Sequence, residues 1–118
     1  MGRCLDEREF DGLRQLFTAD ATVTTRETAR GHDALVDQAR RRTRDDGFQH
    51  IITNLITDLD GYHATGRANP LACFARTGPA DPVPYLIGEV YRFTFRRIPQ
   101  GWRITSLTST VTWSLNGR

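Results

Sequence analysis

Phe48-Gln49-His50-Ile51-Ile52-Thr53-Asn54-Leu55-Ile56-Thr57-Asp58-Leu59, then Asp60-Gly61, then His63 to Phe74, is the stretch whose reading decides the fold. The first run is rich in Ile, Leu and Thr, residues that suit a pleated, half-buried surface. Asp-Gly between two such runs is a strong short-range signal for a β-hairpin. The reading is therefore a long strand, a tight turn and a long return strand.

Working outward, the hairpin extends in both directions. Gly78, Pro79 and Pro82 mark Ala75 to Val83 as a loop. Tyr85 to Arg97 reads as a third long strand, Pro99-Gln100-Gly101 as a turn, and Trp102 to Leu115 as a fourth strand. Towards the amino terminus the period changes. Leu5, Phe10, Leu13, Leu16 and Phe17 form a rough helical stripe interrupted by Gly12, which predicts two short helices meeting near Arg8. Residues 21–30, centred on Val23, predict a short strand. Gly31 opens a helix running to about Arg44, with Asp33 in its first turn and arginines in its last, as the helix dipole favours.

Helices followed by long antiparallel strands spell an α+β fold. Strands of about a dozen residues exceed the usual five or six, and such strands twist and curl. The expectation is a strongly curled antiparallel sheet, four long strands plus a short one, with helices closing it around a pocket.

The chain has 118 residues, 38% apolar and 25% charged, which is the size of one domain (residues 1–118). Its formal net charge is +2 from 16 basic and 14 acidic residues, and every basic one is arginine. The densest basic run, Arg40 to Arg44, is answered at once by Asp45-Asp46 and reads as a solvated helix end, so no nucleic-acid partner is expected. No stretch approaches the ~18 apolar residues of a membrane span, and no signal-peptide core follows Met1, so no membrane partner and a cytoplasmic location are expected. Cys4 and Cys73 are far apart and read as buried free thiols.

Within this frame the sequence resembles a known family. Leu5 to Leu13, then Leu16-Phe17-Thr18-Ala19-Asp20-Ala21-Thr22-Val23, look like the start of a SnoaL-like domain of the nuclear transport factor 2-like superfamily. Gly31-His32-Asp33-Ala34-Leu35 resembles its next helix, Gln49 to Asn54 its first long strand, and Gly101-Trp102-Arg103-Ile104 with Val111-Thr112-Trp113 its last. The resemblance implies a cone-shaped sheet around a deep cavity and homodimerisation through the sheet. It implies a small-molecule substrate or ligand and either cofactor-independent acid–base catalysis (dehydratase, isomerase or cyclase) or non-catalytic binding. The family's first helix usually starts earlier than this chain does, so the resemblance implies either a first helix truncated at its start or a cavity less well covered.

A residue-by-residue comparison prunes the chemistry. No Asp or Glu follows Glu89, so the late carboxylate of the cyclases and epoxide hydrolases has no match. The epoxide hydrolase's Arg-x-Asp resembles Arg67-Ala68-Asn69, where an amide replaces the base. The base of the ketosteroid isomerases falls on Thr25 and the tyrosine of their oxyanion hole near Met1. The scytalone dehydratases place an Asp on the first helix and a His on the first long strand, and Asp6 and His50 match both. Their two carbonyl-polarising tyrosines fall on Leu5 and Thr25 and are missing. A second histidine would fall near Arg67 or Asn69.

The dyad also has a physical case. Imidazole titrates near neutrality, and a carboxylate on one ring nitrogen leaves the other for substrate. By the two-residue strand period, His50, Ile52, Asn54 and Ile56 share one face. Arg67 and Asn69 share one with Leu71 and Cys73, and Glu89 and Tyr91 one with Tyr85, Ile87 and Phe93. The expected catalytic pair is His50 and Asp6, with Asn54, Arg67, Asn69, Glu89 and Tyr91 contacting substrate. Each has a plain structural alternative: a hydrogen bond tying helix to sheet for the dyad, strand geometry for Asn54, an outward side chain for Glu89. His32 and His63 are expected at the surface, and Trp102 and Trp113 in packing or a dimer contact. Ligand-spaced histidines, phosphate-binding glycine loops and nucleophile elbows are absent, so neither metal nor cofactor is expected.

Overall fold

The computed structural model describes residues 1–42, 47–75 and 84–116. A short helix α1 (Gly2–Asp6) leads through a 3-10 turn (Phe10–Gln15) into strand β1 (Phe17–Thr24) and strand β2 (Thr28–Arg30). Helix α2 (His32–Arg42) follows, then β3 (Gly47–Asp60), β4 (His63–Ala75), β5 (Tyr85–Ile98) and β6 (Gly101–Leu115). Arg8, at φ 57, breaks the first segment into two short helices where the stripe predicted it.

All six strands form one curved, unclosed sheet in the order β2-β1-β6-β5-β4-β3. β3 to β6 are the antiparallel meander predicted from their patterns. The expected fifth, short strand is instead a hairpin: β1 begins at Phe17, pairs antiparallel with β2, and lies parallel to β6. The sheet therefore has six strands, not five. Phe17, expected to end a helix, starts a strand because Leu16 already accepts a hydrogen bond from Ile104 (2.8 Å). The β3–β4 hairpin closes Asp60 on His63, so its loop is Gly61-Tyr62, one residue later than the Asp-Gly reading. Gly61 has φ 62, the conformation a type II′ turn needs at its first central position. The predicted loop beyond Ala75 and the helix end at Arg44 lie outside the described residues.

The core sits between the inner sheet face and the helices. Cys4, Leu13, Phe17, Leu35, Val36, Tyr91, Phe93, Ile104 and Leu107 are buried together. Leu35, Val36 and Gln38 are the buried side of α2, while Arg40, Arg41 and Arg42 occupy its last turn. Gly31, at φ 86, turns the chain from β2 into this helix, and its N–H bonds Ala21 O (2.8 Å). Strands of 13 to 15 residues reach about 45 Å at ~3.3 Å per residue, well past the end that the helices cover. The molecule is accordingly 52 Å long and 27 Å by 22 Å across.

One irregularity overturns a face assignment. The β3–β4 register shifts by one residue between Thr53 and Ile56, a bulge with Asn54 at φ 53. His50 and Ile52 pair with Ala72 and Pro70 on the inner face, but Ile56 pairs with Arg67 on the outer one. His50, Ile52, Asn54 and Ile56 thus do not share a face. Other local differences are small. Cys4 is buried and Cys73 only half-buried. His32 is not at the surface but half-buried, its Nε2 2.8 Å from Phe17 O. His63 is exposed, as expected.

Candidate active site

Asp6 is the last residue of α1, and His50 lies early on β3, an edge strand. An edge strand leaves alternate N–H groups without a ladder partner. Asp6 occupies one of them: its Oδ1 and Oδ2 lie 3.0 and 2.9 Å from the His50 backbone nitrogen, which donates to both. The same Oδ1 lies 2.7 Å from His50 Nδ1. An ionised carboxylate only accepts, so Nδ1 carries the proton and Nε2 holds the free lone pair. One carboxylate thereby docks α1 on the sheet and sets the imidazole tautomer. The ring is held on two sides by Phe48 and Phe74, edge-on with centroids 6.0 and 6.4 Å away. Nε2 has no hydrogen-bond partner among the described residues.

His50 lines a half-enclosed cavity of about 110 Å³ under the helices, with the apolar side chains of Met1, Leu5, Leu13, Phe17, Leu35 and Phe74. Its polar groups come from Thr25, Gln38, Arg42, His50, Glu89, Tyr91 and Ser109. Drug-sized ligands need about 300–1,000 Å³, whereas a cavity of about 150 Å³ takes up benzene. The space fits roughly one ring.

The other predicted residues divide by strand parity. Glu89 and Tyr91 point inward and are buried, at 7% and 6% exposure. Burial raises the Glu89 carboxyl above its ordinary range, opposed by nearby Arg42, by His50 and by a hydrogen bond with Ser109. Burial also pushes the Tyr91 hydroxyl up, and the neighbouring Glu89 adds to this. Asn54, Arg67 and Asn69 do not line the cavity. Arg67 is exposed, and Asn69 lies on the outer face of β4, opposite to Ala68, Ala72 and Phe74. Asn54 is exposed and donates to Asn69 Oδ1 (3.2 Å), while Asn69 Nδ2 reaches Glu89 O (3.4 Å). These two amides brace the bulge and tie three strands together, so their expected substrate contacts are withdrawn in favour of strand geometry. Two-residue periodicity grouped Arg67 and Asn69 correctly with Leu71 and Cys73. Which face looked inward depended on the helices.

Four cavity residues were not singled out from the sequence. Arg42 was read as part of a solvated helix end. Gln38 is buried and donates to Glu27 O (3.2 Å), and Ser109 lies beside Tyr91 in the β5–β6 ladder. Thr25 had entered only as the place of a missing tyrosine. Its Oγ1 is buried and has no hydrogen-bond partner among the described residues. The alternation of Leu107 with Ser109 was the one sequence signal available for these.

The SnoaL-like domain family matches residues 1–108. The chain belongs to this family. Its fold recurs in a candidate scytalone dehydratase from Novosphingobium aromaticivorans, at TM-score 0.86 and 21% identity, covering 99% of this chain and 80% of that one. A hexachlorocyclohexane dehydrochlorinase, LinA-type3 from Novosphingobium barchaimii LL02, gives TM-score 0.82 and 21% identity over 99% of this chain and 84% of that one. The Kfla4162 protein from Kribbella flavida gives 0.83 and 21% over 98% and 85%. No curated protein matches the chain. This SnoaL-like chain has no helix, among the described residues, long and apolar enough to cross a membrane. The described residues also contain no group of three or more His, Cys, Asp or Glu placed to hold a metal.

Proposed function

We propose that this SnoaL-like protein is a cofactor-independent acid–base enzyme that eliminates a small group from a compact, mainly apolar, oxygenated metabolite. The observation that carries the reading is the Asp6 Oδ1 to His50 Nδ1 contact of 2.7 Å, with the imidazole lining an apolar cavity. His50 Nε2 is the base that removes a proton from carbon. Asp6 holds the tautomer and stabilises the imidazolium that forms. Elimination is favoured over isomerisation or cyclisation because two proteins of the same fold carry names that describe eliminations, one of water and one of hydrogen chloride. The cavity volume narrows the substrate to single-ring dimensions, such as a small polyketide- or terpenoid-derived ring.

A suitable probe is 5-nitrobenzisoxazole, which opens when a base removes its ring C–H proton and a phenolate leaves. The wild-type protein accelerates this opening, and His50→Ala loses the acceleration while keeping the wild-type circular dichroism spectrum. Full activity in a folded His50→Ala protein refutes the reading.

The protein acts as a cytoplasmic homodimer joined through the outer sheet face. Ile51, Ile56, Trp113 and Leu115 are exposed there, more apolar surface than isolated side chains explain. Sedimentation equilibrium tests this: the wild type sediments as a dimer, and Ile56→Glu shifts it to monomer. A wild type that is monomeric at all concentrations excludes the dimer.

A further inference from the structure

We propose that Glu89 is the acid partner of His50, giving a proton to the leaving oxygen while His50 takes one from carbon. This rests on His50 being the base. The two residues approach the cavity from different strands. His50 pairs with Ala72, and Ala72 with Ile87, two residues before Glu89. Two strand spacings of about 4.8 Å and two residues of about 3.4 Å separate their backbones by about 12 Å, and both side chains line the same cavity.

The surroundings of Glu89 suit a proton donor. It is buried at 7% exposure, and among the described residues its hydrogen-bond partner is the neutral Ser109 hydroxyl rather than a cation held in a salt bridge. Arg42 faces it from α2, His50 from β3 and the Ser109 hydroxyl from β6, while Tyr91 follows on its own strand and Asp6 stands behind His50. Burial raises the carboxyl, which favours the neutral form that can donate. Its backbone is fixed by Asn69 at its carbonyl and by a register shift between Gly88 and Glu89, where Thr112 Oγ1 bonds Gly88 O (3.2 Å). Bulges beside active sites commonly re-aim a side chain.

The step balances. His50 Nε2 takes the C–H proton, and that electron pair forms the C=C bond. The neighbouring C–O bond breaks, and its oxygen receives the Glu89 proton and leaves as water. Imidazolium and carboxylate then face each other, and the departing water returns the proton from Nε2 to Glu89. A chloride would leave without any proton. An acid in this position therefore assigns the substrate to alcohols whose hydroxyl lies next to the carbon that loses its proton.

Two probes separate the roles. Unsubstituted benzisoxazole expels a more basic phenolate than its 5-nitro derivative does, so its departure gains more from protonation of the leaving oxygen. Glu89→Gln slows the first by about 10²–10⁴-fold and the second far less, whereas His50→Ala removes both activities. Equal slowing of the two probes by Glu89→Gln, or none, with His50→Ala inactive, overturns the acid role and leaves the base. Activity surviving in His50→Ala, or a wild type inactive on both probes, overturns the base and this inference together. Difference infrared spectroscopy gives an independent reading: the wild type at neutral pH shows a protonated-carboxyl band that Glu89→Gln lacks. An ionised Glu89 under those conditions also overturns the proposal.

Discussion

Replacing Asp6 by Asn tests the dyad with almost no change in shape. The carboxylate meets two donors, the backbone N–H of His50 at 2.9 and 3.0 Å and the ring Nδ1–H at 2.7 Å. An amide offers one acceptor oxygen and one NH₂ group. If the Asn oxygen keeps the backbone N–H, its NH₂ faces Nδ1. The imidazole must then accept at Nδ1 and move its proton to Nε2, which removes the lone pair aimed at the cavity. The equivalent tautomer error in a serine protease triad costs about 10⁴-fold in turnover, and a loss of about 10³–10⁴-fold is expected here with 5-nitrobenzisoxazole. Loss of the charge-assisted bond also costs about 2 kcal/mol of stability, because α1 docks on β3 through this carboxylate. Nitrogen-15 NMR of the imidazole reads the tautomer, probe kinetics the rate, and thermal unfolding the stability. An Asp6→Asn protein with wild-type rate and an unprotonated Nε2 would refute the argument.

Three further outcomes follow from the packing and the charges. The raised Glu89 carboxyl binds its proton more tightly in the folded state than in the unfolded one, so its contribution to stability is intact below the ordinary carboxyl range and is lost as pH rises through the folded-state pKa. Glu89→Gln should therefore be the more stable protein at neutral pH and lose that advantage in acid, as melting temperatures across pH will show; a pH-independent difference contradicts this. Val36, 1% exposed on α2, loses two methyl groups in Val36→Ala, at a cost of about 2 kcal/mol in urea unfolding. Asn54 has φ 53, so Asn54→Gly should lose only the amide bond to Asn69, whereas the β-branched Asn54→Val should destabilise more; equal melting temperatures would mean that the bulge does not persist.

The long meander was legible because alternation, β-branched residues and an Asp-Gly turn are local signals, each readable within a few residues. The break near Arg8 and the helix after Gly31 were legible for the same reason. The β1–β2 hairpin was not, since its parallel partner β6 lies some eighty positions later in the chain. The bulge at Asn54 was hidden too. Asparagine tolerates a left-handed backbone without demanding one, and only the pairing with β4 forces the extra residue.

The candidate site shows the same boundary. The resemblance of Asp6 and His50 to the dehydratase pair singled out the two residues, and strand periodicity grouped Arg67 with Asn69 and Glu89 with Tyr91. Residue order and chemical type determined that much, since alternation, turn chemistry and the capacity to carry a proton belong to the residues themselves. Which face of each strand became the inside was decided only by where α1 and α2 packed. Helix packing buried Glu89 and left Arg67 in solvent, and it brought Arg42 to the cavity from a run of arginines indistinguishable in sequence. Burial and proximity arise from all the elements at once, so tertiary structure alone could set them.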